Sequence, residues 1–137
     1  MIRAGPTPAC MAKQASDITV LVVEDDRAAR TMYRMFLTHE GYTVHTAADG
    51  GVAIDQAHRW APDVIIMDLT MPGFDGLTAS RWLKESPATA HIPIIALSGR
   101  STAREEARAA GCDGFLAKPC LLEVLSWEIQ ALLNPPS

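Results

Sequence analysis

The chain is poor in cysteine: Cys10, Cys112 and Cys120 are the only three in 137 residues, and none forms a CxxC pair. An odd number without paired spacing excludes a disulfide framework and a thiolate zinc site, so the three read as reduced thiols. Long apolar runs are lacking as well. Segments 20–23 and 64–67 fall far short of the roughly 20 residues needed to span a bilayer, and 1–13 has no signal-peptide core. A soluble, cytoplasmic protein with no membrane partner is expected. Positive charge is scarce, since 12 Lys and Arg against 16 Asp and Glu give a net charge of −4, and no basic run forms the stripe that nucleic acid requires. Direct nucleic-acid binding is therefore not expected. The sequence also has no HExxH, GxxxxGK[ST] or GxGxxG, which removes zinc-peptidase, P-loop and dinucleotide chemistry. His39, His45, His58 and His91 lack ligand spacing and read as solvated or locally hydrogen-bonded side chains.

What the chain does have is short apolar runs alternating with helical patterns, within a composition 48% hydrophobic. That length and apolar content suit one domain. Residues 1–17 carry Gly5, Pro6 and Pro8 without periodicity and read as a flexible leader; 18–134 form the domain; 135–137, with Pro135 and Pro136, form a tail. No output domain is expected downstream, so the domain should act by contact. Strands are expected at 19–23, 43–46, 64–67, 94–97 and 114–117. Four are nearly continuous in apolar side chains, as buried parallel strands are. A first helix should follow Asp26, an N-cap, with Ala29, Met32, Tyr33 and Phe36 facing the sheet. Further helices fit 51–59, 77–85, 102–110 before Gly111, and 121–133. The last has Leu122, Leu125, Ile129 and Leu132 on one stripe and Leu121, Val124 and Trp127 on another, so it is apolar on more than one side.

Four apolar runs end in polar residues: Glu24 and Asp25, then Asp68, Ser98 and Lys118. In an open parallel sheet all carboxyl ends lie along one edge, where ligands bind, so these five side chains converge. Three neighbouring carboxylates raise one another's pKa unless a cation compensates, and magnesium, with its preference for hard oxygens, fits that need. Lys118 adds a mobile cation able to pair first with a carboxylate and then with phosphate oxygens. Taken singly, each residue has a plainer role: Asp26 caps a helix, Asp68 starts a turn before Thr70, Pro72, Gly73 and Gly76, Ser98 is a loop serine and Lys118 a surface lysine. Four such coincidences at four strand ends make the plain roles improbable together.

The motifs Val-Leu-Val-Val-Glu-Asp-Asp, Ile-Ile-Met-Asp-Leu-Thr-Met-Pro-Gly-Phe-Asp-Gly, Ile-Ala-Leu-Ser-Gly and Gly-Phe-Leu-Ala-Lys-Pro occur in this order. Over residues 19–133 the chain resembles the response-regulator receiver domain of two-component signalling, in particular the chemotaxis-regulator-like single-domain receivers. The resemblance implies an α/β fold, flavodoxin-like and doubly wound, with (βα)5 units and a five-stranded parallel sheet of order 2-1-3-4-5. It implies Asp68 as phosphoacceptor and a magnesium ion, with manganese as a substitute. The metal would be held by Asp25, Asp68 and the Thr70 carbonyl, and by Glu24 through a water. Ser98 and Gly99 would form the phosphate-binding switch with Lys118, and Phe115 the aromatic switch. Thr70 and Arg100 stand where the family tunes phosphate lifetime, and Pro119 where it commonly has a cis peptide. Gly99 departs from a frequent Ala and Cys120 from a frequent Phe; neither departure touches the phosphate chemistry.

The implied reaction is attack of Asp68 on a phosphohistidine of a histidine kinase or histidine phosphotransfer protein. Ser98 and Phe115 would then reshape a face made by the fourth helix, fifth strand and last helix, to be read by a downstream protein or a second copy of the chain. Such a domain is not a turnover enzyme. A haloacid-dehalogenase-like phosphatase needs two aspartates flanking one residue, whereas this chain has Asp68-Leu69-Thr70. A phosphorylation-independent adaptor and a receiver cut from a hybrid histidine kinase remain as alternatives.

Overall fold

Runs of apolar residues without helical periodicity become the interior strands of a parallel sheet. The computed structural model describes residues 14–70, 76–100 and 102–134. Cys10, the leader up to residue 13, the turn residues Pro72 and Gly73, and the tail 135–137 lie outside the described residues. Strands β1 (Thr19–Val23), β2 (Thr43–Ala47), β3 (Val64–Asp68), β4 (Ile94–Ser98) and β5 (Gly114–Ala117) form one parallel sheet in the order β2-β1-β3-β4-β5. Every residue of β3 and β4 is buried, while the edge strands β2 and β5 are mostly half-exposed. Strands β3 and β4 run one residue beyond the expected ends because Asp68 and Ser98 keep their places in the ladder, opposite Leu97 and Ala117.

The helices are α1 (Arg27–His39), α2 (Gly50–Trp60), α3 (Gly76–Glu85), α4 (Ala103–Ala109) and α5 (Leu122–Leu133). They cover the sheet on both faces. Leu21, Val23, Ile65, Met67, Ile94 and Ala96 meet α2, α3 and α4 mainly through Ala53, Ala57, Ala79, Leu83, Ala103 and Ala107. Small alanines let these helices lie close to the strands. On the opposite face Val20, Val22, Ile66, Ile95 and Leu97 meet Tyr33 and Leu37 of α1 and Leu125 and Ile129 of α5. Alternate strand residues thus feed two separate cores.

Two helix faces differ in detail from the sequence pattern. In α1 the buried pair is Tyr33 and Leu37, with Ala29 and Phe36 flanking, whereas Met32 is 46% exposed. The contact stripe has rotated by part of a turn toward i, i+4 and i+8. Of the expected second stripe, Leu121, the N-cap of α5, and Trp127 are each 70% exposed, while Val124 is half-buried. Residues Ala15–Asp17, from the segment assigned to the leader, form a 3-10 turn, and Ala15 packs on the α1–α5 side of the sheet.

The opposite sheet edge is closed by acids that cap strands. Asp63 Oδ2 accepts from Thr19 N–H at 2.8 Å. Asp113 Oδ2 accepts from Ile94 N–H at 2.9 Å and pairs with Lys84 Nζ at 2.9 Å.

Gly76 fixes how α3 returns to the end of β3. A Cβ there would collide with the Asp68 carbonyl oxygen and sit 3.0 Å from Leu69 Cα, both of them backbone atoms that cannot step aside. Gly76→Ala is expected to lower stability by about 2–3 kcal/mol in chemical denaturation. Gly99→Ala, whose Cβ meets nothing within 4 Å, should change it by less than about 0.5 kcal/mol. Equal losses in the two variants would refute the close approach.

Candidate functional site

Ladder bonds carry each polar strand end to the same edge. Glu24 N–H donates to Ala47 O at 3.0 Å, Leu69 N–H to Leu97 O at 2.9 Å, and Lys118 N–H to Ser98 O at 2.8 Å. Glu24, Asp25 and Asp68 therefore meet, with one carboxylate oxygen from each lying within 4.8 Å of the others. Glu24 and Asp68 are buried, each 2% exposed, while Asp25 faces solvent. Lys118 reaches in from β5, its Nζ 3.1 Å from Asp68 Oδ1 and 3.6 Å from Glu24 Oε1.

Asp68 Oδ1 is held by three donors: Lys118 Nζ, the Thr70 N–H at 3.0 Å and the Thr70 hydroxyl at 2.7 Å. Burial pushes the Asp68 pKa up, but the Thr70 N–H, a hydrogen bond with Glu24, the Thr70 hydroxyl and Lys118 together outweigh it and hold the carboxyl below its ordinary value. Burial likewise pulls Lys118 down, and Asp68 and Glu24 overcome it, leaving the ammonium raised. Glu24 goes the other way. Its burial, reinforced by Asp68, lifts it from 4.5 to about 7 against the pull of the Asp26 N–H and Lys118. Its Oε2 accepts from Asp26 N–H at 3.1 Å, but Oε1 is buried and accepts nothing. A proton on Glu24, when present, can be donated toward Asp68 and eases the repulsion between the two carboxyls.

The donor set is all oxygen, crowded with negative charge, and includes a buried acceptor without a donor. It fits a small divalent cation that favours hard ligands, magnesium above all. Glu24, Asp25 and Asp68 are the residues that would hold it.

The other residues singled out by sequence lie around this centre. Ser98 is fully buried, and its Oγ accepts from Arg100 N–H at 3.0 Å. The Arg100 guanidinium pairs with Glu106 of α4 at 3.3 Å. Gly99 has open space where a Cβ would stand, so an alanine would fit. Phe115 is half-buried against the α2–α4 side of the sheet, with the Arg104 guanidinium 4.8 Å above its ring. The Lys118–Pro119 peptide is cis.

Two residues of the site were not picked out by sequence. Tyr33 of α1 lines a cleft of about 530 Å³ beside the centre, together with Glu24, Met32, Lys118 and Cys120. Burial pushes its phenol to about 12, with Cys120, Glu24 and Asp68 adding to the effect. Sequence placed Tyr33 on the sheet-facing side of α1, and that side extends to the site. Arg30 donates to the carbonyls of Glu24 at 2.9 Å and Asp25 at 3.3 Å. Both bonds go to backbone, which carries no sequence signal.

The chain matches the response regulator receiver domain over residues 20–130. Response regulator PleD of Caulobacter vibrioides is 44% identical over 103 residues, which cover 73% of this chain and 22% of PleD. Response regulator MprA of Mycobacterium leprae is 39% identical over 117 residues, covering 84% of this chain and 50% of MprA. The chain thus spans half or less of the length of these two relatives. Among solved structures, the chemotaxis protein CheY4 of Vibrio cholerae superposes with a TM-score of 0.80 at 33% identity, covering 85% of this chain and 98% of that one. The receiver domain of sensor histidine kinase PA1611 from Pseudomonas aeruginosa PAO1, which has a magnesium ion coordinated in its active site cleft, gives a TM-score of 0.78 at 32% identity, covering 87% of this chain and 98% of that one. With its sheet order, its acidic strand ends and this match across nearly all of its described residues, the chain belongs to the response regulator receiver domain family of two-component signalling.

Proposed function

We propose that Asp68 accepts a phosphoryl group from a phosphohistidine of a histidine kinase or phosphotransfer protein in the cytoplasm. The observation that carries this reading is the meeting of Asp68 with Glu24, Asp25 and Lys118 at one sheet edge. Nothing about it requires turnover of a small-molecule substrate. An Asp68 carboxylate oxygen attacks phosphorus, the P–N bond breaks, and the departing imidazole keeps the electron pair. The Thr70 N–H and hydroxyl fix the carboxylate's rotation for that attack.

Formation of the acyl phosphate removes the Asp68 charge, so Lys118 loses its partner there and follows the negative charge to the phosphoryl oxygens. The Ser98 hydroxyl, whose oxygen accepts from Arg100 N–H, keeps its own proton to donate to the phosphoryl group. Magnesium, or manganese in its place, supplies the charge that offsets the acids and the phosphoryl oxygens; Glu24, Asp25, Asp68 and the Thr70 carbonyl are its proposed holders. Arg100 and Thr70, two residues beyond Ser98 and Asp68, govern access of water to the product. Phe115 and the face of α4, β5 and α5 carry the change to a protein target or a second copy of the chain, and the exposed Trp127 and Leu121 suit such a contact.

Asp68→Asn is expected to abolish labelling by a phosphorylated kinase or phosphotransfer protein, and EDTA to do the same to the unmodified chain. Persistent labelling in either case would sink the assignment.

A second expectation concerns Glu24. Its folded pKa, about 7, lies above the ordinary 4.5, so the folded chain binds the proton more tightly than the unfolded one. That contribution is present at low pH and is lost as pH rises through this window in metal-free protein. Glu24→Gln keeps an acceptor for Asp26 N–H and removes the titration. In EDTA at neutral pH or above it should raise stability by about 1–3 kcal/mol, read by thermal or denaturant unfolding, and it should weaken magnesium binding. A metal-free variant less stable than the parent would contradict the strained-acid picture.

A further inference from the structure

Asp25 is the exposed member of the acidic cluster, and among the described residues none donates a hydrogen bond to its carboxylate. With no donor to hold the side chain, the backbone sets where the Asp25 Cβ stands and hence which directions the carboxylate can reach. One side chain ties both peptide planes that flank it. Arg30 Nη1 donates to Glu24 O, in the peptide before Asp25, at 2.9 Å, and to Asp25 O, in the peptide after it, at 3.3 Å. Holding both planes restricts φ and ψ of Asp25 together. Around this clamp, Glu24 N–H is fixed to Ala47 O at 3.0 Å and Asp26 N–H to Glu24 Oε2 at 3.1 Å. Arg30 itself stands in the first turn of α1, which the Asp26 carboxylate caps through Ala29 N–H at 2.8 Å. The clamp is thus mounted on a regular helix rather than on a loop.

We propose that Arg30 is a positioning residue: it orients Asp25 toward a divalent cation by fixing the two carbonyls beside it. This rests on the metal-binding reading above. As a bare charge, a guanidinium near the site repels a second cation, so its removal would tighten metal binding. As a clamp, its removal frees Asp25 to rotate and weakens metal binding. The two roles predict opposite signs, and the measurement can tell them apart.

The test is calorimetric titration of the metal-free chain with magnesium chloride, in the parent and in Arg30→Met, Arg30→Lys and Asp25→Asn. Arg30→Met keeps much of the apolar stem and should raise the magnesium Kd by about tenfold. Arg30→Lys keeps the charge with a shorter reach and should fall between. The magnesium concentration giving half-maximal phosphorylation should rise in parallel, while the rate at saturating magnesium is retained. Amide hydrogen exchange without metal should quicken at residues 25–26 and stay unchanged in the strands. Magnesium binding as tight as or tighter than the parent's in Arg30→Met, with Asp25→Asn weakened, overturns the role of Arg30 alone. Unchanged binding in Asp25→Asn overturns the metal reading and the clamp with it. Should Arg30→Met fail to fold, Arg30→Lys decides: parental affinity overturns the proposal and reduced affinity supports it.

Discussion

Three carboxylates gathered at one sheet edge repel one another, and much of the local structure serves to contain that repulsion. Lys118 contributes a cation 3.1 Å from Asp68, Thr70 two donors to the same oxygen, and Glu24 a proton, through a pKa lifted to about 7. Lys118 and Thr70 act together on Asp68 Oδ1, and the proton acts on Glu24. The division of labour leaves Asp68 ionised and Glu24 on the verge of ionising. A carboxylate kept charged beside an acid kept partly neutral is the state in which a divalent cation can displace a proton without rebuilding the site. Proton and metal are alternative answers to the same crowding.

The sheet makes this arrangement affordable. Strands β3 and β4 are buried along their whole length, so the apolar residues preceding Asp68 and Ser98 anchor the two polar ends against solvent and against local rearrangement. The helices on one side approach through alanines, and α3 begins at a glycine set against the Asp68 carbonyl. A close-packed surround of this kind cannot relax to separate the charges, because every shift opens a cavity or forces an overlap. Crowding at the edge is thus held by burial elsewhere, which is the usual relation between a functional site and its scaffold.

Much of the fold and of the centre was legible in the sequence because one signal served both. A polar residue ending an apolar run marks the end of a parallel strand and also the place where ligands bind. Glu24, Asp25, Asp68, Ser98 and Lys118 all carried that mark. Residues acting through backbone left none: among the described residues the Arg30 guanidinium bonds only to carbonyls, and nothing in its neighbours' identities calls for an arginine. The contrast between buried Glu24 and exposed Asp25 was equally hidden, since adjacent residues at a strand end point to opposite sides and the pattern does not say which side is dry. The exposure of Met32 in place of Leu37 has a similar origin. The apolar residues of α1 permit more than one rotation, and the one adopted buries Tyr33 and Leu37.

The proposed chemistry bears on this balance directly. Forming an acyl phosphate would convert Asp68 from a charged partner of Lys118 into one half of a mixed anhydride, with the negative charge carried further out on the phosphoryl oxygens. Donors that held the carboxylate are then too many for it, and the phosphoryl oxygens have too few. Lys118 is 28% exposed at its side chain and can swing, and Ser98, buried with its oxygen accepting from Arg100 N–H, still has its hydroxyl proton to donate. Arg100, whose N–H binds Ser98, pairs with Glu106 on α4, and Arg104 of the same helix lies over Phe115. In the proposed switch, a shift of one charge at the sheet edge would pass to α4 through Arg100 and Glu106 and to β5 through Phe115.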